Sequence, residues 1–507
     1  MPLEILQRPV TLRTGIGQLH EKVSTQSPEA QSFYDQGLAY LHSYVWIEAA
    51  RSFHQALRAD PKLGMAYLGL TDTFIGLHDI GTAQATLERA KALEKGMSDR
   101  ERTWLAIRAS ELEYLVKGEN TESFTAYRRT INQALKEYPN DPWLWIQRGL
   151  ADEGNPFTHG QAATVDALAF YRTALALAPG NLAALHYSAH AYENMGRAKD
   201  ALEASALYAR MAPAIPHAQH MHGHALMRSG RMQEAIVEFL KTKELEESYY
   251  RTEKIPERYD WHHGHNLTLL AMCYQSLGQM KSAEELFHQT FSAPAYTDFL
   301  EYNRKSWPEF LLSRGRFQEA EDAAREMIKS EWPLPRLGGH TLAGEALLAM
   351  GSIADAQEEL TLAERETEKL PPAAIAALPY PALLRADILL RQKNTEEGEA
   401  LAMDVAKSIQ GMAGPDAWIA AQFELESMAQ SARNAGDWEL ASFLAQQMIL
   451  HNVNYAGGHF AYGLVAEHAG NLADARKAFA AAEKLWAKAD KDLPELGQVH
   501  KQLAAGR

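Results

Sequence analysis

The chain has very little cysteine and a deficit of basic side chains, and each shortage excludes a class of protein. Among 507 residues, Cys273 is the only cysteine, so no disulfide can form within the chain and a cysteine-based zinc site is excluded. Lysine and arginine total 50 against 65 aspartate and glutamate residues, which gives a net charge of −15. This charge argues against nucleic acid or an anionic membrane as the main partner.

Long apolar runs and the common catalytic motifs are also missing from the sequence. The first residues contain no apolar segment of the kind found in signal peptides, and no later stretch approaches the roughly 18 apolar residues that a membrane span needs. No Walker loop, dinucleotide fingerprint, H-E-x-x-H or G-x-S-x-G run occurs. These absences favour a cytoplasmic protein and leave nucleotide-binding, metalloprotease and serine hydrolase activities without support.

What the sequence does contain is a helical repeat. With Ala30 as position 1, the positions 8, 11, 20, 24, 27 and 32 carry Gly37, Tyr40, Ala49, Phe53, Ala56 and Pro61. Small residues let two antiparallel helices touch, aromatic rings fill the gaps beside them, and proline ends the second helix. The pattern closely resembles the tetratricopeptide repeat. This resemblance implies an all-α fold, a right-handed α-solenoid of roughly ten antiparallel helix pairs.

The turn of this repeat recurs along most of the chain. Glycines at the loop-closing position, each followed five residues later by alanine, are Gly196, Gly230, Gly278, Gly315, Gly351, Gly436 and Gly470. We therefore expect an extended arm over residues 1–26, a solenoid over 27–370, and C-terminal repeats over 371–507 that continue it, with a soft joint near Pro371–Pro381. From Gly230 to Gly278 the spacing is 48 rather than 34 residues, and such insertions often lie on the binding face.

Histidines stand at equivalent places in neighbouring repeats. His186 and His190 are one helical turn apart, as are His220 and His224, and the second pair follows the first by 34 residues. The tetratricopeptide resemblance implies that positions 2, 5, 9, 12 and 13 of each first helix face a concave groove. The histidines that this rule assigns to the groove, within 180–275, are His186, His190, His217, His220, His224 and His265, with His262 alongside.

This imidazole cluster predicts a transition-metal site. Histidine nitrogen suits copper, iron or zinc and does not suit calcium or magnesium. Six or seven imidazoles exceed the four ligands of a closed zinc site, so they fit one or two ions, or one ion with acid–base histidines. Glu193, Tyr187 and Tyr259 are candidates for catalytic or substrate-facing roles. We expect a metal-dependent oxidative or hydrolytic enzyme that acts on a small molecule or peptide in the groove.

Other interpretations of the groove stay open at this point, including one in which the protein is not an enzyme. Tetratricopeptide arrays mostly bind protein segments, so a non-enzymatic adaptor that clasps an extended peptide or partner helix is the main alternative. Interhelical hydrogen bonds between the histidines and metal storage without turnover are two more. The matched positions of the histidines favour the metal, because an adaptor has no evident need for them.

A finer resemblance rests on the histidine runs themselves. H-Y-S-A-H from His186, H-A-Q-H-M-H-G-H from His217 and H-H-G-H-N from His262 are similar to runs in a bacterial group related to tetratricopeptide repeat protein 38. The similarity covers roughly residues 30–275 and is faint beyond. The chain departs from that group at Met221-His222-Gly223 and at His263. The resemblance implies a shared site and names no reaction.

Overall fold

The computed structural model describes residues 1–118, 120–153, 159–294, 298–370, 379–412 and 414–505. Within these ranges the regular structure is helical and no strand occurs. The α-helices are α1 Leu3–Leu6, α2 Pro28–Leu41, α3 Trp46–Ala59, α4 Gly64–Gly76, α5 Ile80–Ala92, α6 Asp99–Lys117, α7 Thr121–Glu137, α8 Pro142–Leu150, α9 Val165–Leu177, α10 Leu182–Asn194, α11 Ala198–Met211, α12 Pro216–Arg228, α13 Met232–Glu253, α14 Trp261–Ser276, α15 Met280–Ser292, α16 Asp298–Asn303, α17 Ser306–Ser313, α18 Phe317–Ile328, α19 Pro333–Ala349, α20 Ile353–Thr367, α21 Tyr380–Arg391, α22 Thr395–Gly411, α23 Pro415–Ala435, α24 Trp438–His451, α25 Ala456–His468, α26 Leu472–Leu485 and α27 Pro494–Ala505. Short 3₁₀ turns lie at Glu94–Gly96 and Glu257–Tyr259. None of the described helices has the length and apolar character needed to cross a bilayer.

Helices begin where the sequence supplies capping residues. The Ser27 hydroxyl accepts a hydrogen bond from the amide of Ala30 at 3.2 Å, and Pro28 takes the first position of α2. Ser98 and Glu101 form a capping box at the start of α6, in which each side chain accepts a hydrogen bond from the other residue's backbone amide. The starts of these helices are therefore determined by local sequence.

Successive helices pack as antiparallel pairs through contacts between a glycine and an aromatic ring. Phe53 on α3 lies against Gly37 on α2 and Gly69 on α4, and an added Cβ at either glycine would be 2.5 Å from a ring atom. Gly463 on α25 and Phe479 on α26 make the same contact. The missing side chains let the helices approach closely, as the repeat pattern predicts. The chain is an all-α protein with a tetratricopeptide-type solenoid fold.

The glycines predicted to close the turns adopt a left-handed backbone conformation. Their φ angles lie between 69° and 92°, a region that residues with a Cβ rarely enter. The set comprises Gly196, Gly230, Gly278, Gly315, Gly351, Gly436 and Gly470. Each of these glycines follows the end of a helix, where it adopts the left-handed conformation of the turn without strain.

The chain divides into two compact units, and each is described by itself. The first unit comprises residues 1–229 and 241–255, and the second comprises 230–240 and 256–507. Helix α13 contributes residues to both units. Most of the proline-rich stretch predicted to be a joint, residues 371–378, lies outside the described residues.

In the first unit, the predicted arm and the lengthened part of α13 both contact α3. Arg51 on α3 donates hydrogen bonds to the carbonyl oxygen of Pro9 at 2.8 Å and to the carboxylate of Glu253 at 2.8 Å. Tyr249 on α13 donates its hydroxyl proton to Glu48 at 2.8 Å. The predicted insertion therefore extends a helix that is tied to the first repeat by polar contacts.

Filling the contact at Gly37 is expected to destabilise the first helix pair. In Gly37→Ala the new Cβ would lie 2.5 Å from a ring atom of Phe53. Overpacking of this kind costs about 1–3 kcal/mol, against a gain of about 0.5–1 kcal/mol from helix propensity. We expect the free energy of unfolding, measured by urea denaturation with circular dichroism, to fall by about 1–2 kcal/mol.

Gly81→Ala provides the matched control for this substitution. Gly81 lies at an exposed position of α5, and an added Cβ would meet only Asp79 Oδ1, at 3.9 Å. There the same change should leave stability unaltered or raise it by a few tenths of a kcal/mol. Equal effects at the two glycines would contradict the packing role of Gly37.

Candidate metal centre

Three buried imidazoles of the first unit meet at their Nε2 atoms. His186 Nε2 lies 3.1 Å from His190 Nε2 and 2.9 Å from His217 Nε2. His186 and His190 are one turn apart on α10, and His217 lies in the first turn of α12, which contacts α10. Two nitrogens bound at about 2.0–2.1 Å to one tetrahedral ion lie about 3.3 Å apart. The three Nε2 atoms therefore have nearly the spacing of metal ligands.

The orientation of His186 is set by a backbone carbonyl. Its Nδ1 lies 2.7 Å from the carbonyl oxygen of His42, the residue that caps the end of α2. Because a carbonyl only accepts hydrogen bonds, Nδ1 carries the proton, and in the neutral form of the ring the lone pair is then on Nε2. That lone pair faces His190 and His217. Metal-binding histidines commonly hold their second nitrogen in this way.

A buried carboxylate lies on the Nδ1 side of His190. Glu193 is 2% exposed, and its Oε2 lies 4.0 Å from His190 Nδ1 and 3.7 Å from His224 Nδ1. Among the residues that the structure describes, neither oxygen of this carboxylate accepts a hydrogen bond. The negative charge favours a proton on the Nδ1 atom of each neighbouring ring. Glu193, which the sequence marks as a catalytic candidate, thus stands beside the imidazoles and away from their Nε2 atoms.

Tyr44 covers the three imidazoles with its ring. The ring centroid lies 4.6 Å from that of His186, 4.8 Å from that of His217 and 6.0 Å from that of His190. Tyr44 has a φ of 58°, which is uncommon for a residue with a side chain. Its hydroxyl donates a hydrogen bond to the carbonyl of His159. Tyr44 stands at the turn position of the first repeat, where later repeats carry a glycine with the same left-handed backbone conformation.

Tyr187, a second catalytic candidate from the sequence, packs against the cluster. Its ring stacks on His186 with centroids 5.0 Å apart, and its hydroxyl lies 2.9 Å from His42 Nδ1. Burial lowers the pKa of His42 to about 4 and raises the pKa of Tyr187 well above its usual range. Near neutral pH both groups are uncharged. Tyr187 therefore holds the residue whose carbonyl orients His186.

His220 and His224 continue the row of imidazoles along α12. Their rings meet edge to face with centroids 4.2 Å apart, and the His220 centroid lies 5.8 Å from that of His217. Both side chains are buried. Five of the seven predicted histidines thus lie in the first unit, and the carboxylate of Glu193 is near both pairs.

The remaining predicted residues belong to the second unit. His262 and His265 lie near the start of α14 with ring centroids 6.2 Å apart. His265 Nδ1 is 3.2 Å from Asp416 Oδ2, and His265 lines a cavity of about 660 Å³. Tyr259 lies in the 3₁₀ turn before α14, where its hydroxyl accepts a hydrogen bond from Arg258 at 3.0 Å. These side chains are engaged with other residues of their own unit.

Sequence reasoning missed His42 and Tyr44. Both belong to the run L-H-S-Y at the end of α2, and His42 is 144 residues away from His186 in the chain. The repeat pattern links the histidine pairs to one another, but it carries no signal for a turn in a distant repeat. The polar and aromatic character of this turn was the available clue.

No family model matches the chain, and no curated protein matches it. Similar solved structures include the apo form of the quorum sensor NprR from B. thuringiensis, which is 13% identical in sequence. The alignment covers 76% of this chain and 98% of that chain, and the TM-score is 0.45. A tetratricopeptide repeat protein from Parabacteroides merdae is 15% identical, with coverages of 54% and 96% and a TM-score of 0.38. Yeast Tom70 is 12% identical, with coverages of 94% and 95% and a TM-score of 0.34. Similarities at this level assign no ligand and no residue role, and the finer resemblance to the group related to tetratricopeptide repeat protein 38 stays a prediction.

Proposed function

We propose that the first unit binds one transition-metal ion through the Nε2 atoms of His186, His190 and His217. The convergence of these three atoms carries the proposal. The His42 carbonyl holds the proton of His186 on Nδ1, and Glu193 favours the same tautomer of His190. With both rings in this tautomer, the lone pairs of the two Nε2 atoms face each other at 3.1 Å. A cation bound between the rings turns this repulsion into coordination.

The donor set limits which ions fit. Copper, iron and zinc accept an all-imidazole site, whereas magnesium and calcium prefer oxygen ligands. Three protein ligands leave at least one coordination position for water or substrate, as in catalytic rather than closed structural sites. An ion held there would supply an activated water or a polarised substrate group. We therefore propose a metal-dependent enzyme, hydrolytic or oxidative, that acts on a small molecule or peptide.

The residues around the ligands serve to orient and cover them. The His42 carbonyl and Glu193 act on the Nδ1 protons, so Glu193 is a positioning residue in this proposal. Tyr44 excludes water from one side of the three rings. His220 and His224, which lie beside Glu193, are the pair that we propose for a second ion or for proton transfer.

The cellular compartment and the partners of the protein are further predictions that accompany this proposal. The acidic charge and the single cysteine favour the cytoplasm. The substrate is then a small metabolite or a peptide segment, with a protein partner on the repeat surface as a further option. Nucleic acid and membrane lipid are not expected as partners because the net charge is −15.

Elemental analysis of the untagged protein, purified without chelator, tests the proposal. We expect about one equivalent of copper, iron or zinc per chain, bound through the three imidazoles that leave one position open. Copper or iron would direct assays to oxidative chemistry, and zinc to hydrolysis. Absence of metal both after purification and after reconstitution at micromolar concentration would overturn the proposal and favour the peptide-binding adaptor.

A further inference from the structure

The second unit contains a cavity of about 380 Å³ with apolar and acidic walls. Phe310 on α17, Leu342 on α19 and Phe423 on α23 contribute to the apolar part. The acidic part, among the described residues, consists of Glu309, Glu345, Glu424, Glu426 and Glu495, accompanied by Arg314 and Arg433. Ligand cavities typically combine apolar walls with a few placed polar groups. This cavity has that composition, with an excess of carboxylates.

One carboxylate of this cavity is left over after the others are paired. Arg314 forms an ion pair with Glu495, and Lys305 donates a hydrogen bond to Glu309 at 2.6 Å. Glu424 accepts a hydrogen bond from the Tyr380 hydroxyl at 3.0 Å, and Glu426 accepts one from the Tyr455 hydroxyl. Glu345 forms no hydrogen bond and no ion pair within the described part of the chain. Glu345 is half-buried, and burial together with the nearby carboxylates disfavours its ionised form. Glu345 is therefore the group in this cavity that a cationic ligand would satisfy.

Lys305 illustrates how the same wall holds an alkylammonium group. Its Nζ lies 2.6 Å from a Glu309 oxygen, 3.9 Å from a Glu424 oxygen and 4.7 Å from the centroid of the Tyr380 ring. The carboxylates supply negative charge, and the ring supplies a cation–π contact. Glu309 and Glu424 also act electrostatically on Glu345. A second ammonium at Glu345 would meet the same chemistry.

We propose that this cavity binds a primary alkylammonium group, with Glu345 as its ion-pair partner and the aromatic and aliphatic walls around its carbon chain. An ammonium donates three hydrogen bonds, which a wall rich in carboxylates and hydroxyls can accept. A small-molecule amine and a lysine side chain share this group. The proposal concerns the second unit alone and does not depend on the metal site of the first unit.

The surroundings of Glu345 predict how binding depends on pH. The charged groups that act on it are Asp387, Glu309, Glu424 and Lys305. Burial raises the pKa of Glu424 and of Asp387 to about 7 each, and it raises the pKa of Glu345 well above its usual range. Because a bound cation favours the ionised carboxylates, protons leave as the ligand binds. The affinity should therefore rise between about pH 6 and about pH 8.

Isothermal titration calorimetry of the full chain tests this proposal with pentylammonium and N-acetyl-lysine methylamide as probes. We expect both to bind, and neutral pentanol to bind at least tenfold more weakly. Glu345→Gln should weaken the ammonium probes by about tenfold to hundredfold, because a charge-assisted hydrogen bond is lost. Tighter binding of the lysine compound would identify a lysine side chain of a protein as the source of the ammonium group. Tighter binding of pentylammonium would identify a small-molecule amine as the source.

Two control variants show whether the binding belongs to Glu345. Glu358→Gln removes one negative charge from an exposed position of α20 outside the cavity and should leave the affinity unchanged. His190→Ala with His217→Ala removes two of the three proposed metal ligands of the first unit and should also leave the affinity unchanged. Binding that persists in Glu345→Gln, or that pentanol reproduces, or that neither ammonium probe shows, contradicts the proposal whatever the metal content.

Discussion

The double variant His190→Ala, His217→Ala is expected to lose the bound metal while keeping its helical structure. The two substitutions remove two of the three nitrogens that converge in the first unit. Structural zinc sites with four ligands bind with about 10–16 kcal/mol, or about 2.5–4 kcal/mol per ligand. Loss of two ligands should weaken the site by at least about four orders of magnitude. Elemental analysis and competition with a chelating dye measure this change.

Two further variants show whether the effect belongs to the site. His500→Ala removes an exposed imidazole in α27 and should retain the full metal content. Glu193→Gln keeps all three ligands but removes the carboxylate beside His190, and a loss of about 10- to 100-fold in affinity is expected for a residue that orients a ligand. Unchanged metal in the double variant would refute the ligand assignment. Metal loss accompanied by loss of helical circular dichroism would assign the histidines to the core.

Arg108→Met is expected to lower the free energy of unfolding by about 3–5 kcal/mol. Arg108 donates hydrogen bonds to Asp72, at 2.6 Å, and to Glu111, and all three side chains are buried. The substitution retains most of the side-chain volume and removes the positive charge. Two carboxylates would then stay in the protein interior without their cation. Urea denaturation of the full chain, followed by circular dichroism, measures the loss.

The pH dependence of Arg108→Met identifies charge as the cause. Burial raises the pKa of Glu111 from 4.5 to about 7 even beside Arg108. A carboxyl group whose folded pKa exceeds its unfolded pKa destabilises the folded state as the pH rises between these values. Without Arg108 this effect grows, so the variant should lose less stability at about pH 5 than at about pH 8.

A charge-balanced variant of the same cluster provides the control. Asp72→Asn, Arg108→Met and Glu111→Gln together remove all three charges while keeping similar side-chain shapes. Most of the lost stability should return, because no uncompensated charge is left in the interior. A triple variant as unstable as Arg108→Met alone would show that packing around Arg108, rather than charge, is responsible.

The sequence alone determined the repeat and therefore the type of fold. Its signals are local: Ser27 caps a helix, turn glycines such as Gly196 enter the left-handed region, and Gly37 makes room for Phe53. Each depends on residues within one helix pair, so periodic spacing is enough to reveal it. The placement of His186 and His190 on one face of α10 follows in the same way, because residues four apart share a helix face.

Only the tertiary structure decided which of these side chains meet, and with what partners. The carbonyl of His42 orients His186 from 144 residues away. Tyr44 lies in the turn after α2 and places its ring over His186 and His217. The carboxylates around Glu345 come from several helices of the second unit. Contacts of this kind depend on how the helices stack and on the side-chain rotamers, and many distant residues contribute to both. The spacing of the repeats in the sequence does not determine either one.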